Sequence, residues 1–138
     1  MLNVEPISDN TFEADKLNTH SLFDLSLLEE MDDNEYISEV LTIFLTNTPD
    51  RLEDLLAACR AHQFVDVYKT AHKLKSSVGL LKANDLLGVM KQLEDNGKAE
   101  KVEGLVELAQ QAIEEFKKIE PPLKEHLKNI QTGLGTPV

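Results

Sequence analysis

Cysteine is almost absent from this 138-residue chain, and Cys59 is the single example. No disulfide can close within the chain, and no thiolate metal site is suggested. Set in the apolar run LLAACRAH, Cys59 reads as a small buried hydrophobe. No apolar run approaches the ~18 residues of a membrane span. The opening MLNVEPISDN lacks the basic segment and apolar stretch of a secretory signal, so a cytoplasmic location is expected. Basic residues are scarce, with 14 Lys and Arg against 25 Asp and Glu and a net charge of −11. Nucleic-acid binding leans on basic patches and is therefore disfavoured. No glycine-rich loop or other ATP-binding motif appears, which excludes a self-sufficient kinase. Nor does any segment alternate apolar and polar residues with period two, which argues against strands.

What is present is helical periodicity around one core. Apolar residues make up 41% and charged residues 28% of the chain, as in an ordinary globular domain. Residues 1–20 are polar and aperiodic and are expected to form a flexible N-terminal arm. Residues 24–31, DLSLLEEM, form a short helix candidate with Asp24 as its cap. A second helix is expected over 34–60, capped by Asp32 or Asp33. It carries apolar residues at steps of three and four from Tyr36 to Cys59. Pro49 should kink or briefly break it. Further helices are expected at 62–80, at 84–96 with Gly97 as a stop, and at 99–119. Glu120-Pro121-Pro122 should end or kink the last of these. A short helix, LKEHLKNI, and a flexible tail would then fill 121–138. The expected fold is all-α: an antiparallel four-helix bundle over 21–120 with an additional short N-terminal helix. The charge suggests a monomer, since copies repel one another.

Charge is unevenly placed. Residues 61–91 hold two acids, Asp66 and Asp85, and five lysines, at 69, 73, 75, 82 and 91. At the centre of this positive island is TAHKLKSSVG. A helix turns by about 100° per residue. On that wheel Phe64, Val67, Tyr68, Ala71, Leu74, Val78 and Leu81 form the buried stripe. His72 lies about 120° from its centre, on the polar side. Lys75, Ser76 and Gly79 follow it at i+3, i+4 and i+7, and Lys69 precedes it at i−3, so all share its face. Two lysines could offset negative charge placed on the ring, and the small residues leave room for another surface. An imidazole of ordinary pKa, about 6.5, is largely neutral and nucleophilic at pH 7. A phosphoryl group on the ring makes physical sense of this set. From spacing alone an idle surface histidine remains an equal alternative. A zinc site lacks ligands and is opposed by the lysines. A hydrolase would use Ser76 as nucleophile, but no acid stands at i±3 or i±4 to orient the ring.

AHKLKSS at 71–77, an apolar residue at 81, Ala83, Leu86 and the Leu93-Glu94 pair resemble histidine-containing phosphotransfer domains. DLSLLEEM and FLTNTPDRLEDL are similar to the first helices of that family, and the resemblance spans about 22–119. It implies a phosphorelay intermediate. His72 would take a phosphoryl group through Nε2 from a receiver-domain aspartate and pass it to another receiver aspartate. Lys75 would neutralise the phosphoryl charge. Ser77 and, more weakly, Lys73 would line the contact. The docking face would be Val65, Lys69, His72, Ser76 and Gly79 with exposed apolar residues of a neighbouring helix. The partners implied are receiver domains of response regulators and a hybrid histidine kinase. No cofactor or metal is implied in this chain, because the divalent ion, magnesium, belongs to the receiver. Such a chain is a carrier rather than an enzyme. Two positions depart from the family pattern: Ser76 and Lys82 stand where glycine is usual. They keep open a second reading, a phosphotransfer-inactive helical module that binds a signalling partner. Lys82 also predicts an altered or strained turn at the end of its helix. Gly88, inside a helix, suggests a close helix crossing.

Overall fold

The computed structural model describes residues 22–133. The expected N-terminal arm and the last five residues lie outside them. Among the described residues there are five helices and no strand: α1 (Ser26–Glu29), α2 (Asn34–Arg60), α3 (Phe64–Leu80), α4 (Asn84–Lys98) and α5 (Leu105–Thr132). Short turns join α2 to α5, so consecutive helices run antiparallel. The contacts α2–α3, α3–α4, α4–α5 and α5–α2 close the ring into a four-helix bundle, and α1 packs on α2.

Local chemistry sets most of the boundaries. Asp33 caps α2, its carboxylate accepting from the Tyr36 N–H at 3.0 Å. α1 is a single turn, shorter than the expected 24–31. The Asp24 carboxylate accepts from the Ser26 N–H at 2.9 Å, and the Asp24 N–H donates to the Leu81 carbonyl at 2.8 Å. The chain is thereby pinned where α3 ends. α2 continues unbroken through Pro49, because Phe44, Leu45, Thr48 and Leu52 are buried on both sides of it.

The last helix departs most from expectation. It begins at Leu105, not 99, after a turn closed by Gly104 at φ +73°. It then runs straight across Pro121-Pro122 to Thr132, so the expected end and the separate final helix do not occur. Each proline removes one donor to a carbonyl four residues back. Those carbonyls belong to Lys117 and Lys118, both exposed, where water can replace the lost donor. Ile119 and Leu123 are buried either side of the pair, and Gln131 Nε2 donates to Ser38 Oγ at 3.3 Å. Packing thus outweighs two missing hydrogen bonds.

The core is aliphatic, with Leu41, Leu55, Val67, Leu81, Met90, Leu93 and Leu123 nearly inaccessible. The Phe44 and Phe116 rings meet at 5.7 Å in a tilted pair that joins α2 to α5. Cys59 is buried, and burial pushes its thiol up to about 11, which keeps it protonated and inert.

The two glycines of α4 differ. Gly97 is not a stop: it lies inside the helix, and a Cβ there would sit 3.0 Å from the Tyr68 backbone nitrogen. It marks the close approach of α4 to α3. Gly88, where a close crossing was expected, has open space over its Cα. The same substitution should therefore have opposite signs in one helix. Gly97→Ala is expected to cost about 2 kcal/mol by overpacking against backbone. Gly88→Ala should gain about 1 kcal/mol from helix propensity. Thermal midpoints of the two variants check this, and equal shifts would refute the close approach.

Candidate functional site

α3 sets the site. Its inner stripe, Val67, Ala71, Leu74 and Val78, is buried. The opposite ridge carries Val65, Lys69, His72 and Ser76, all exposed, and then Gly79, with nothing within 4 Å of where a Cβ would be. The His72 side chain is 66% exposed. Lys73 and Ser77 turn towards α2, where they line a groove between the two helices. Ser77 Oγ donates to the Leu74 carbonyl at 3.2 Å. Lys75 turns the other way, towards α4, and is half-buried.

There it meets Glu94, the residue that inspection of the α3 sequence alone misses. Glu94 is buried, 5% exposed, on the inner face of α4. Its Oε2 is 2.7 Å from His72 Nδ1 and its Oε1 is 2.6 Å from Lys75 Nζ. Lys98 Nζ, one turn along α4, stands 3.4 Å from Oε2 and 5.9 Å from the centre of the Tyr68 ring. The hydrogen bond from Lys75, helped by those from His72 and Lys98, outweighs burial and holds the Glu94 carboxyl down at about 2. The group is thus a carboxylate at any ordinary pH and can only accept. Nδ1 must carry the proton that it accepts. The neutral ring then keeps its lone pair on Nε2, directed away from Glu94.

An acid does orient the ring, contrary to the expectation from spacing within α3; it comes from 22 residues further on. A signal for it existed in the sequence. Leu86, Met90, Leu93 and Gly97 form an apolar stripe, and Glu94 is the one charge set in it. The acid does not create a hydrolase triad. Ser76 Oγ makes no hydrogen bond to the ring or to any other described residue. Among the described residues no group of His, Cys, Asp and Glu could hold a metal ion. No helix is long and apolar enough to cross a membrane.

The class defined is therefore a helical bundle presenting one oriented, nucleophilic imidazole from mid-helix. The family model for the Hpt domain matches residues 39–133. The chain belongs to that family of histidine phosphotransfer domains and is a relay intermediate of two-component signalling. Domains of this family are phosphocarriers that interact with receiver domains and kinases. Among solved structures, the fold is similar to histidine-containing phosphotransfer protein B (HptB) from Pseudomonas aeruginosa PAO1. The TM-score is 0.72 and the identity 23%, over 78% of this chain and 96% of that one. No curated protein sequence matches it significantly.

Proposed function

We propose that His72 is the phosphoacceptor, taking a phosphoryl group on Nε2 from a receiver aspartate and returning it to another. The observation that carries this reading is the 2.7 Å contact of Nδ1 with the Glu94 carboxylate. It leaves Nε2 as the nucleophile on an open ridge. In the forward step the Nε2 lone pair forms the P–N bond while the bond from phosphorus to the aspartyl oxygen breaks, and the carboxylate leaves with that electron pair. The Nδ1 proton stays where it is. The ring becomes cationic, and Glu94 offsets that charge. The loose transition state places its negative charge on the equatorial phosphoryl oxygens. Lys75, one turn from the ring, exchanges part of its bond with Glu94 for one of these oxygens. Lys69 and Lys73 add to the positive field, and Ser76, Ser77, Gly79 and Val65 belong to the contact surface.

The receiver supplies the divalent ion, magnesium, and its own acidic pocket, so the chain itself uses no cofactor. It acts as a cytoplasmic carrier without turnover of its own, and as a monomer, since its −11 charge makes copies repel one another.

The test is transfer from phosphorylated receiver domains. Acid-labile, base-stable phosphate should appear on the wild type and vanish in His72→Ala and His72→Gln. Undiminished label in either variant would refute the assignment. Lys75→Ala should slow transfer about tenfold with the helical circular dichroism retained. A rate within about twofold of wild type would remove the role of Lys75. Binding of a receiver without transfer would favour the phosphotransfer-inactive module instead.

A further inference from the structure

The two flanks of α3 differ in how their cations are used. On the α4 side, Lys75 and Lys98 are paired with Glu94. On the α2 side, Lys73 of α3 and Arg51 of α2 pair with no carboxylate among the described residues. Both border the groove between the helices. Its apolar floor and walls come from Val40, Ile43, Phe44 and Leu81, and no acid lines it. That is unusual in a chain with 25 acids. The groove between α2 and α5, by contrast, is lined by Asp50, Glu53 and Glu120. Ile43 is 55% exposed at the rim, an apolar side chain left in water. Arg51 and Lys73 also border the depression that holds His72. They are the two residues shared by both hollows, so whatever reaches the ring from this side passes between them.

We propose that this groove selects among receivers by taking one kind of element: an apolar side chain flanked by a carboxylate. The inference rests on the phosphorelay reading above and adds to it the chemistry of the partner's contact face. The apolar side chain enters against Val40, Ile43 and Phe44. The flanking carboxylate closes on Arg51 and Lys73. Desolvated apolar contact at the centre holds the complex, and the two unpaired cations at the exit towards His72 set register and speed the encounter. A receiver with a basic rim meets like charge and is rejected. Association is then salt-sensitive, despite the negative charge of the chain as a whole.

The experiment uses the full chain and two phosphoryl donors. One is the phosphorylated receiver domain that labels it fastest in a screen of the source organism. The other is phosphoramidate, a small donor that needs no docking. Arg51→Glu and Ile43→Asp should each slow transfer from the receiver tenfold or more, while labelling by phosphoramidate stays within about twofold of wild type. The wild-type rate with the receiver should fall between about 0.05 M and about 0.3 M salt. Arg51→Glu should flatten that fall, and Arg51→Lys should retain it. Receiver transfer within about twofold of wild type in both variants, with an unchanged salt response, would overturn the groove proposal and leave the phosphorelay reading standing. Labelling of the wild type by phosphoramidate but by no receiver would overturn both.

Discussion

Glu94→Ala is expected to slow phosphoryl transfer to His72 by about 10- to 100-fold, the range seen when a metal-bound histidine loses the carboxylate that orients it. Three things go at once. The Nδ1 proton loses its acceptor, so the lone pair is no longer confined to Nε2. The cationic phosphorylated ring loses its counter-charge. Lys75, half-buried, loses its anchor at 2.6 Å. Glu94→Gln separates these effects. Its amide oxygen can still accept from Nδ1, but it carries no charge for the ring or for the lysines. Its rate should fall between wild type and Glu94→Ala. If Glu94→Gln were as slow as Glu94→Ala, the charge would matter and the tautomer would not. If both matched wild type, the contact would have no part in the chemistry.

The same pair has a signature in acid. The Glu94 carboxyl is lowered from 4.5 to about 2 in the folded chain, chiefly by Lys75. A depressed carboxyl stabilises the fold fully above its unfolded value and loses that contribution as pH falls through its folded value. The stability of wild type relative to Glu94→Gln should therefore be constant above about pH 4.5 and shrink between there and about pH 2. Thermal midpoints measured across that window check it. A difference that stays flat down to pH 2 would mean that the ion pairs do not form in solution.

The second large effect concerns stability alone. Each of the four turns between helices places a non-glycine residue at positive φ, and three of them share one geometry: His62 at +54°, Lys82 at +51° and Glu100 at +54°. Each sits two residues past its helix, in the position where glycine usually ends one. The motif is complete each time. The N–H groups of Gln63, Ala83 and Lys101 reach back to the carbonyls of Ala58, Val78 and Asn96 at 2.9–3.1 Å. The left-handed conformation costs a residue with a Cβ about 1 kcal/mol relative to glycine. The three residues lie in three separate turns, so the triple glycine variant should gain about 2–3 kcal/mol and about 10 °C in thermal midpoint. His62→Gly should contribute least, because its ring stacks on Phe64 at 6.0 Å and that contact would be lost. A triple variant no more stable than wild type would show that the turns carry no strain.

These turns also mark what could be read in advance. Lysine at position 82, where the family favours glycine, pointed to an altered or strained turn; the turn keeps its usual form, and φ there is positive. The direction of His72 followed from the periodicity of α3 alone, because burial within one helix repeats every 3.6 residues. Glu94 was different. Periodicity describes one helix at a time, whereas its bond to His72 depends on the rotation and depth of α4 against α3, which Gly97 permits. The course of α5 through Pro121-Pro122 was hidden for the same reason. Local chemistry argued for a break, and the burial of Ile119 and Leu123 in the core, where α5 packs against α2 and α4, overruled it.

The mid-helix position of His72 has one more consequence. Reactive groups usually sit on loops, which can close over them. Here the ring rides on a rigid, well-packed helix and is two-thirds open to water, with no lid among the described residues. No helix or loop of the carrier has to move between loading and unloading. Its timekeeping lies outside it, in how quickly one receiver leaves the ridge and the next arrives.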